Sequence, residues 1–141
     1  MNRKLAVVFI LALVSAAISV ACDGGKAAAS DKAIKSANSN GLTITLANDT
    51  GEIKSGNNDL YLIFADASGK AVDVGAASLK FHMPAMGLMA EMNDAATLTT
   101  TDTPGRYRAH VHMDMVGTWE AMVNYQGPKG TGQATMSVNA K

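Results

Sequence analysis

Two short stretches carry the residue types that do soft-metal chemistry. The first, His82-Met83-Pro84-Ala85-Met86-Gly87-Leu88-Met89-Ala90-Glu91-Met92, repeats Met at every third position behind a His. The second, His110-Val111-His112-Met113-Asp114-Met115, interleaves two His with two Met. Together they hold all three His of the chain and six of its nine Met. Thioether sulfur is a soft ligand and imidazole a borderline one, so such a set selects Cu(I), with Cu(II) leaning toward the imidazoles. Thioethers need no deprotonation, and they persist in an oxidising compartment where a free Cys is consumed. The candidate copper ligands are therefore Met83, Met86, Met89, His110, His112, Met113 and Met115.

Packing competes for the same side chains. Met fills irregular core gaps well, and strand alternation sets Met83 beside Leu79 and Phe81. Pro84 and Gly87 break any long helix, so Met86 and Met89 fall in a loop where ligation is favoured over packing. The His110-x-His112 spacing puts two imidazoles on one strand face, an arrangement that solvated pairs share. Met122 and Met136 sit in strand patterns and read as packing residues. A Met-rich exposed surface also suits adaptable binding of another envelope protein with no metal at all.

The elements that must position these residues have a period of two. Leu42–Leu46, Leu79–Met83, Ala96–Thr101, Arg106–Met113, Trp119–Tyr125 and Thr135–Val138 alternate or are strand-like, and Leu60–Ala65 is apolar on both faces, as in a central strand. Turn chemistry separates them at Asn48–Gly51, Asp66–Gly69, Thr103–Gly105 and Gln126–Gly130. No helix-period stripe of useful length appears. The pattern predicts an all-β fold, a seven-stranded immunoglobulin-like antiparallel sandwich over 41–141. Tyr107, Ala109, Val111 and Met113 should face inward, with Arg106, Arg108, His110 and His112 outward. Trp119 is the natural central aromatic.

The N-terminal part reads differently. A basic start (Arg3, Lys4), an apolar run and small residues up to Ala21 have the layout of an export signal over 1–21. Ser19-Val20-Ala21 fits ordinary signal peptidase. With Cys22 added it resembles a bacterial lipobox, with Ser19 where Leu is usual, and Cys22 would then carry lipid. Residues 22–40, rich in Gly, Ala, Ser, Asn and Lys, read as a flexible spacer. Asp23 resembles an inner-membrane retention signal. The expected location is the periplasmic side of the envelope, tethered to a membrane, with the inner membrane favoured.

Composition narrows the remaining classes. The chain has 141 residues with 12 basic and 12 acidic side chains; without Arg3 and Lys4 the balance is 10 to 12, a net charge of −2. No basic excess is left for a phosphate backbone, so no nucleic-acid partner is expected. A blue-copper site needs His2Cys, and the single Cys lies at the end of the leader. No phosphate loop, nucleophile triad or paired-carboxylate motif stands out, and the chain reads as non-catalytic.

The order of signals resembles one family. Met83-Pro84-x-Met86-x-x-Met89 after a strand, then Gly105-x-Tyr107, then a strand ending in Met113-x-Met115-x-Gly117-x-Trp119, is similar to the YtkA-like/FixH-like domain. The resemblance runs from Leu42 to about Ala140. It implies an immunoglobulin-like sandwich outside the cytoplasmic membrane, associated with copper handling or oxidase assembly. Met83, Met86 and Met113 fall on the family's Met positions, while the Met86-x-x-Met89 spacing departs from the tighter Met-x-Met commoner there.

Overall fold

The computed structural model describes residues 31–141. The expected export signal over 1–21, Cys22 and the expected spacer as far as Ser30 lie outside the described residues. Among the described residues every regular element is a strand: β1 (Lys32–Ser39), β2 (Leu42–Asn48), β3 (Gly56–Ala65), β4 (Ala76–Met83), β5 (Met92–Ala95), β6 (Thr97–Thr100), β7 (Arg106–Met113), β8 (Gly117–Gly127) and β9 (Gly130–Ala140). They form two antiparallel sheets, ordered β1-β2-β3-β7-β6 and β5-β4-β8-β9. With β1 set aside, the order matches strands A-B-E-D and C′-C-F-G of the immunoglobulin fold.

The expected inward faces are the buried ones. Tyr107, Ala109, Val111 and Met113 from β7 meet Trp119, Ala121, Val123 and Tyr125 from β8, with Leu60, Leu62, Phe64, Leu79, Phe81 and Met83 completing the middle of the core. Phe64 contacts Tyr107 and Tyr125 edge-on, at 5.8 and 5.4 Å between centroids. Each Tyr also needs a partner for its hydroxyl. Tyr107 donates to Gly75 O (2.7 Å) and Tyr125 to Ser39 O (3.3 Å). β3 is central, as its sequence suggests, and its outer face is partly covered because the Arg106 guanidinium lies 3.9 Å over the Tyr61 ring.

Two strands add to the expected seven. Residues 32–39, read as spacer, form β1 and pair with β2 from Lys32↔Asn48 to Ser39↔Leu42. The hairpin turns on Asn40 and Gly41, whose φ values of 51° and 77° are those of a type I′ turn. The ordered sandwich therefore begins by Lys32, ahead of the expected boundary at 41. β1 escapes a period-two reading because it is an edge strand that rests only Ile34 and Ala37 against the core. The other addition, β5, pairs with β4 from Lys80↔Ala95 to Met83↔Met92. After Ala96 the chain continues as β6 in the opposite sheet. At the other side of the sandwich β1 packs beside β9, and Ile53 bridges in parallel to Ala140.

Candidate metal centre

Strand directions bring both Met/His segments to one end of the sandwich. β4 ends there at Met83, β5 begins there at Met92, β7 ends there at Met113 and β8 starts at Gly117. The loops 49–55 and 114–116 close the same end. Two buried amides stiffen the first of them. Asn48 Oδ1 accepts from the Thr50 and Gly51 amides, and Asn58 Oδ1 accepts from the Lys54 amide (2.9 Å).

The Met residues divide by depth. Pro84 stops the β4 ladder, and the chain then makes a miniature hairpin. Met86 N donates to Met89 O (3.1 Å) and Met89 N to Met86 O (2.9 Å), around Gly87 at φ 57° and Leu88. A two-residue loop with a left-handed Gly first is the type II′ pattern. Directly opposed residues share a face, about 5.5 Å apart at Cα, so the two Met side chains leave the turn on the same face. Met86 is 53% and Met89 46% exposed. Met83 and Met113, expected as ligands, are instead sealed in the core at 1% and 0% exposure. Alternation carries both inward; a Cβ on Gly117 would come within 3.0 Å of Met83 Cε. Neither sulfur is offered at the surface. Met92 and Met115 are half-buried against the core, and Met115 O accepts the Trp119 Nε1 proton (3.1 Å).

The three His share one arrangement. Each sits opposite an Asn or Asp in the sheet register, and that partner's side-chain oxygen takes the ring Nδ1: His82 with Asn93 (3.0 Å), His110 with Asp59 (3.0 Å), His112 with Asn57 (2.9 Å). An amide or carboxylate oxygen accepts, so in the neutral ring Nδ1 is the donor and Nε2 keeps its lone pair. Metal-binding His is usually oriented in this way by its second nitrogen. The side chains of His110 and His112 are 54% and 59% exposed on the outer face of the five-stranded sheet. His82 lies on the outer face of the other sheet, beyond a core about 10 Å thick, so one ion cannot join all three.

Asp94 ties the two segments together. Its register partner is buried Phe81, so it points between the sheets, close enough to Asp114 to be influenced by its charge. Its Oδ2 is buried without a hydrogen-bond partner. Burial, and then repulsion from the Asp114 carboxylate, hold its pKa above the ordinary range. Asn57, Asp59, Asn93, Asp94 and Asp114 were not among the sequence candidates. The signal for the first three is the cross-strand register, which no single stretch of sequence displays.

The tip is also apolar. Among the described residues the exposed large hydrophobic side chains are Met86, Leu88, Met89 and Val116, all at this end.

No curated protein and no solved structure matches the chain. One family model does, that described as YtkA-like, over residues 36–124, from within β1 to within β8 and across both Met/His segments. That span is more than half of the chain, and the chain belongs to the YtkA-like family.

Proposed function

We propose that this protein is a non-catalytic, membrane-tethered copper-binding domain of the periplasmic side, acting as carrier or buffer. The observation that carries the reading is the Met86–Met89 hairpin, which presents two exposed Met side chains on one face of a turn held by reciprocal backbone hydrogen bonds. Two neutral soft ligands on a preformed support suit Cu(I), with half-buried Met92 and Met115 nearby at the same end. An exposed two-ligand site with room for further donors favours exchange of the ion over permanent storage. The tether follows from the leader and Cys22, and cell fractionation of Cys22→Ala tests it: the variant should move from the membrane to the soluble fraction.

The metal test is substitution of one sulfur. Met86→Leu keeps volume and apolarity, so it should weaken Cu(I) about tenfold or more, near 1.4 kcal/mol, with little change in melting temperature. Lys80→Ala, on an exposed position of β4, should change neither. A second reading has its own support in the apolar tip of Met86, Leu88, Met89 and Val116, which suits docking to another envelope protein. If Met86→Leu binds Cu(I) like the parent and loses recruitment to an envelope complex, the docking reading replaces the metal one.

A further inference from the structure

The geometry points to a second metal site, separate from the thioether pair, on the outer face of the five-stranded sheet. Its ligands are His112 Nε2 and Asp114, with His110 Nε2 beside them, and its class of ion is a borderline divalent cation such as Cu(II). The inference refines the copper reading above but does not require that the Met hairpin bind anything. Asp59 and Asn57 take Nδ1 of His110 and His112, which leaves the Nε2 lone pair of each neutral ring for an ion. His112 Nε2 and Asp114 Oδ1 are 3.6 Å apart. That is beyond hydrogen-bond reach, and it is a span two ligand atoms take when each lies about 2.0–2.2 Å from one ion. His110 is two residues back on the same face, roughly 6.6 Å along the strand, and adds a second imidazole when its ring leaves Asp59 and turns toward His112. Among the described residues no three His, Cys, Asp or Glu side chains already converge on one position. His112 and Asp114 are thus the preset pair, and water fills the remaining positions. The Met hairpin grows from the four-stranded sheet and presents thioethers; this face presents imidazole and carboxylate. Ligand softness then sorts the two oxidation states of copper between them.

The test uses the full chain in detergent micelles, with Cu(II) in air as one probe and Ag(I) as a redox-inert soft probe. Cu(II) should bind with imidazole-nitrogen hyperfine structure in its electron paramagnetic resonance spectrum, and saturating Ag(I) should leave that spectrum unchanged. His112→Ala should weaken Cu(II) by about tenfold or more, Asp114→Asn should weaken it severalfold, and His110→Ala should remove one nitrogen from the spectrum. Met86→Leu with Met89→Leu should leave Cu(II) unaffected. These side chains are exposed, and a thermal melt confirms that each variant folds. Unchanged Cu(II) binding in the His110→Ala/His112→Ala double variant overturns the site. Displacement of Cu(II) by Ag(I), or its loss in the Met variants, also overturns it by showing one mixed site. Loss of Ag(I) binding in the Met variants with Cu(II) intact supports both readings. Absence of Ag(I) binding in the parent, with Cu(II) retained on the His pair, defeats the thioether reading alone.

Discussion

Trp119 links the core to the end that carries the candidate site, and its replacement separates two contributions. The side chain is fully buried, and its Nε1 donates to Met115 O at 3.1 Å. Trp119→Ala removes the largest buried side chain and should cost roughly 3–5 kcal/mol. A domain of this size has about 5–15 kcal/mol in total. At about 5 °C per kcal/mol, the melting temperature should fall by roughly 15–25 °C. Trp119→Phe keeps most of the apolar contact but removes the indole N–H. The Met115 carbonyl then loses its partner at a cost of about 1–3 kcal/mol, with a smaller cavity term added. The intermediate variant should therefore melt roughly 5–15 °C lower. Its damage should also be local, with faster amide exchange in 114–116 while β3 and β7 stay protected. Paired thermal melts and hydrogen exchange read both effects. A Trp119→Ala melt within a few degrees of the parent would falsify the assignment of Trp119 as the central core residue. Uniform exchange in Trp119→Phe would refute its role in holding the turn.

Three further outcomes follow from the fold. A chain begun at Gly41 lacks β1, so it loses the packing of Ile34 and Ala37 and the Ser39 contact of Tyr125, and bares the edge of β2; relative to a chain begun at Asp31 it should lose roughly 2–4 kcal/mol in urea melts and aggregate sooner. Gly105→Ala meets Val72 O at 2.2 Å with φ at 79°, whereas Gly69→Ala has φ 83° and open space; the second should cost about 1 kcal/mol and the first clearly more, and equal melting temperatures would contradict this. Asp94 has a raised folded pKa, so its carboxyl favours folding while protonated and costs stability as pH rises through the folded value; Asp94→Asn should therefore melt higher than the parent at neutral pH. That advantage should shrink as pH falls toward the ordinary Asp value of about 3.9, and a difference that does not vary with pH would count against the burial argument.

Alternation made most of the sandwich readable. Strands with one buried face, such as Arg106–Met113 and Trp119–Tyr125, write their inward residues at every second position, and those residues are the core. Two strands lacked that signature. β1 is polar on nearly all of its length, and its real signal was Asn40-Gly41, the dipeptide of a two-residue hairpin, which stood at the edge of a stretch read by composition. β5 is four residues long, too short for a period to show. At the candidate site, the segments were legible from ligand type, and alternation already set Met83 and Met113 inward, a depth at odds with naming them as ligands. Met83 and Met113 follow the strand rule inward, while Met86 and Met89 escape it because Pro84 and Gly87 release the chain into a turn. The oxygen partners of the His rings depend on register between strands far apart in sequence, which composition and spacing do not encode.

The passage of β5 into β6 through Ala96 has a consequence for how the protein behaves among its neighbours and over evolutionary time. One nearly continuous run serves as the border of both sheets, and each stretch is only four residues long. On the opposite flank β1 lies against β9, and the Ile53–Ala140 bridge fastens the corner. Both flanks are thus short or covered, which denies another chain a long backbone template for cross-chain pairing. Loop length and sequence at the two ends can change with the least effect on these ladders. The end that carries the Met86–Met89 hairpin can lengthen, shorten or exchange that turn without disturbing the ladders that hold the sandwich together, so the surface it presents can change while the scaffold stays put.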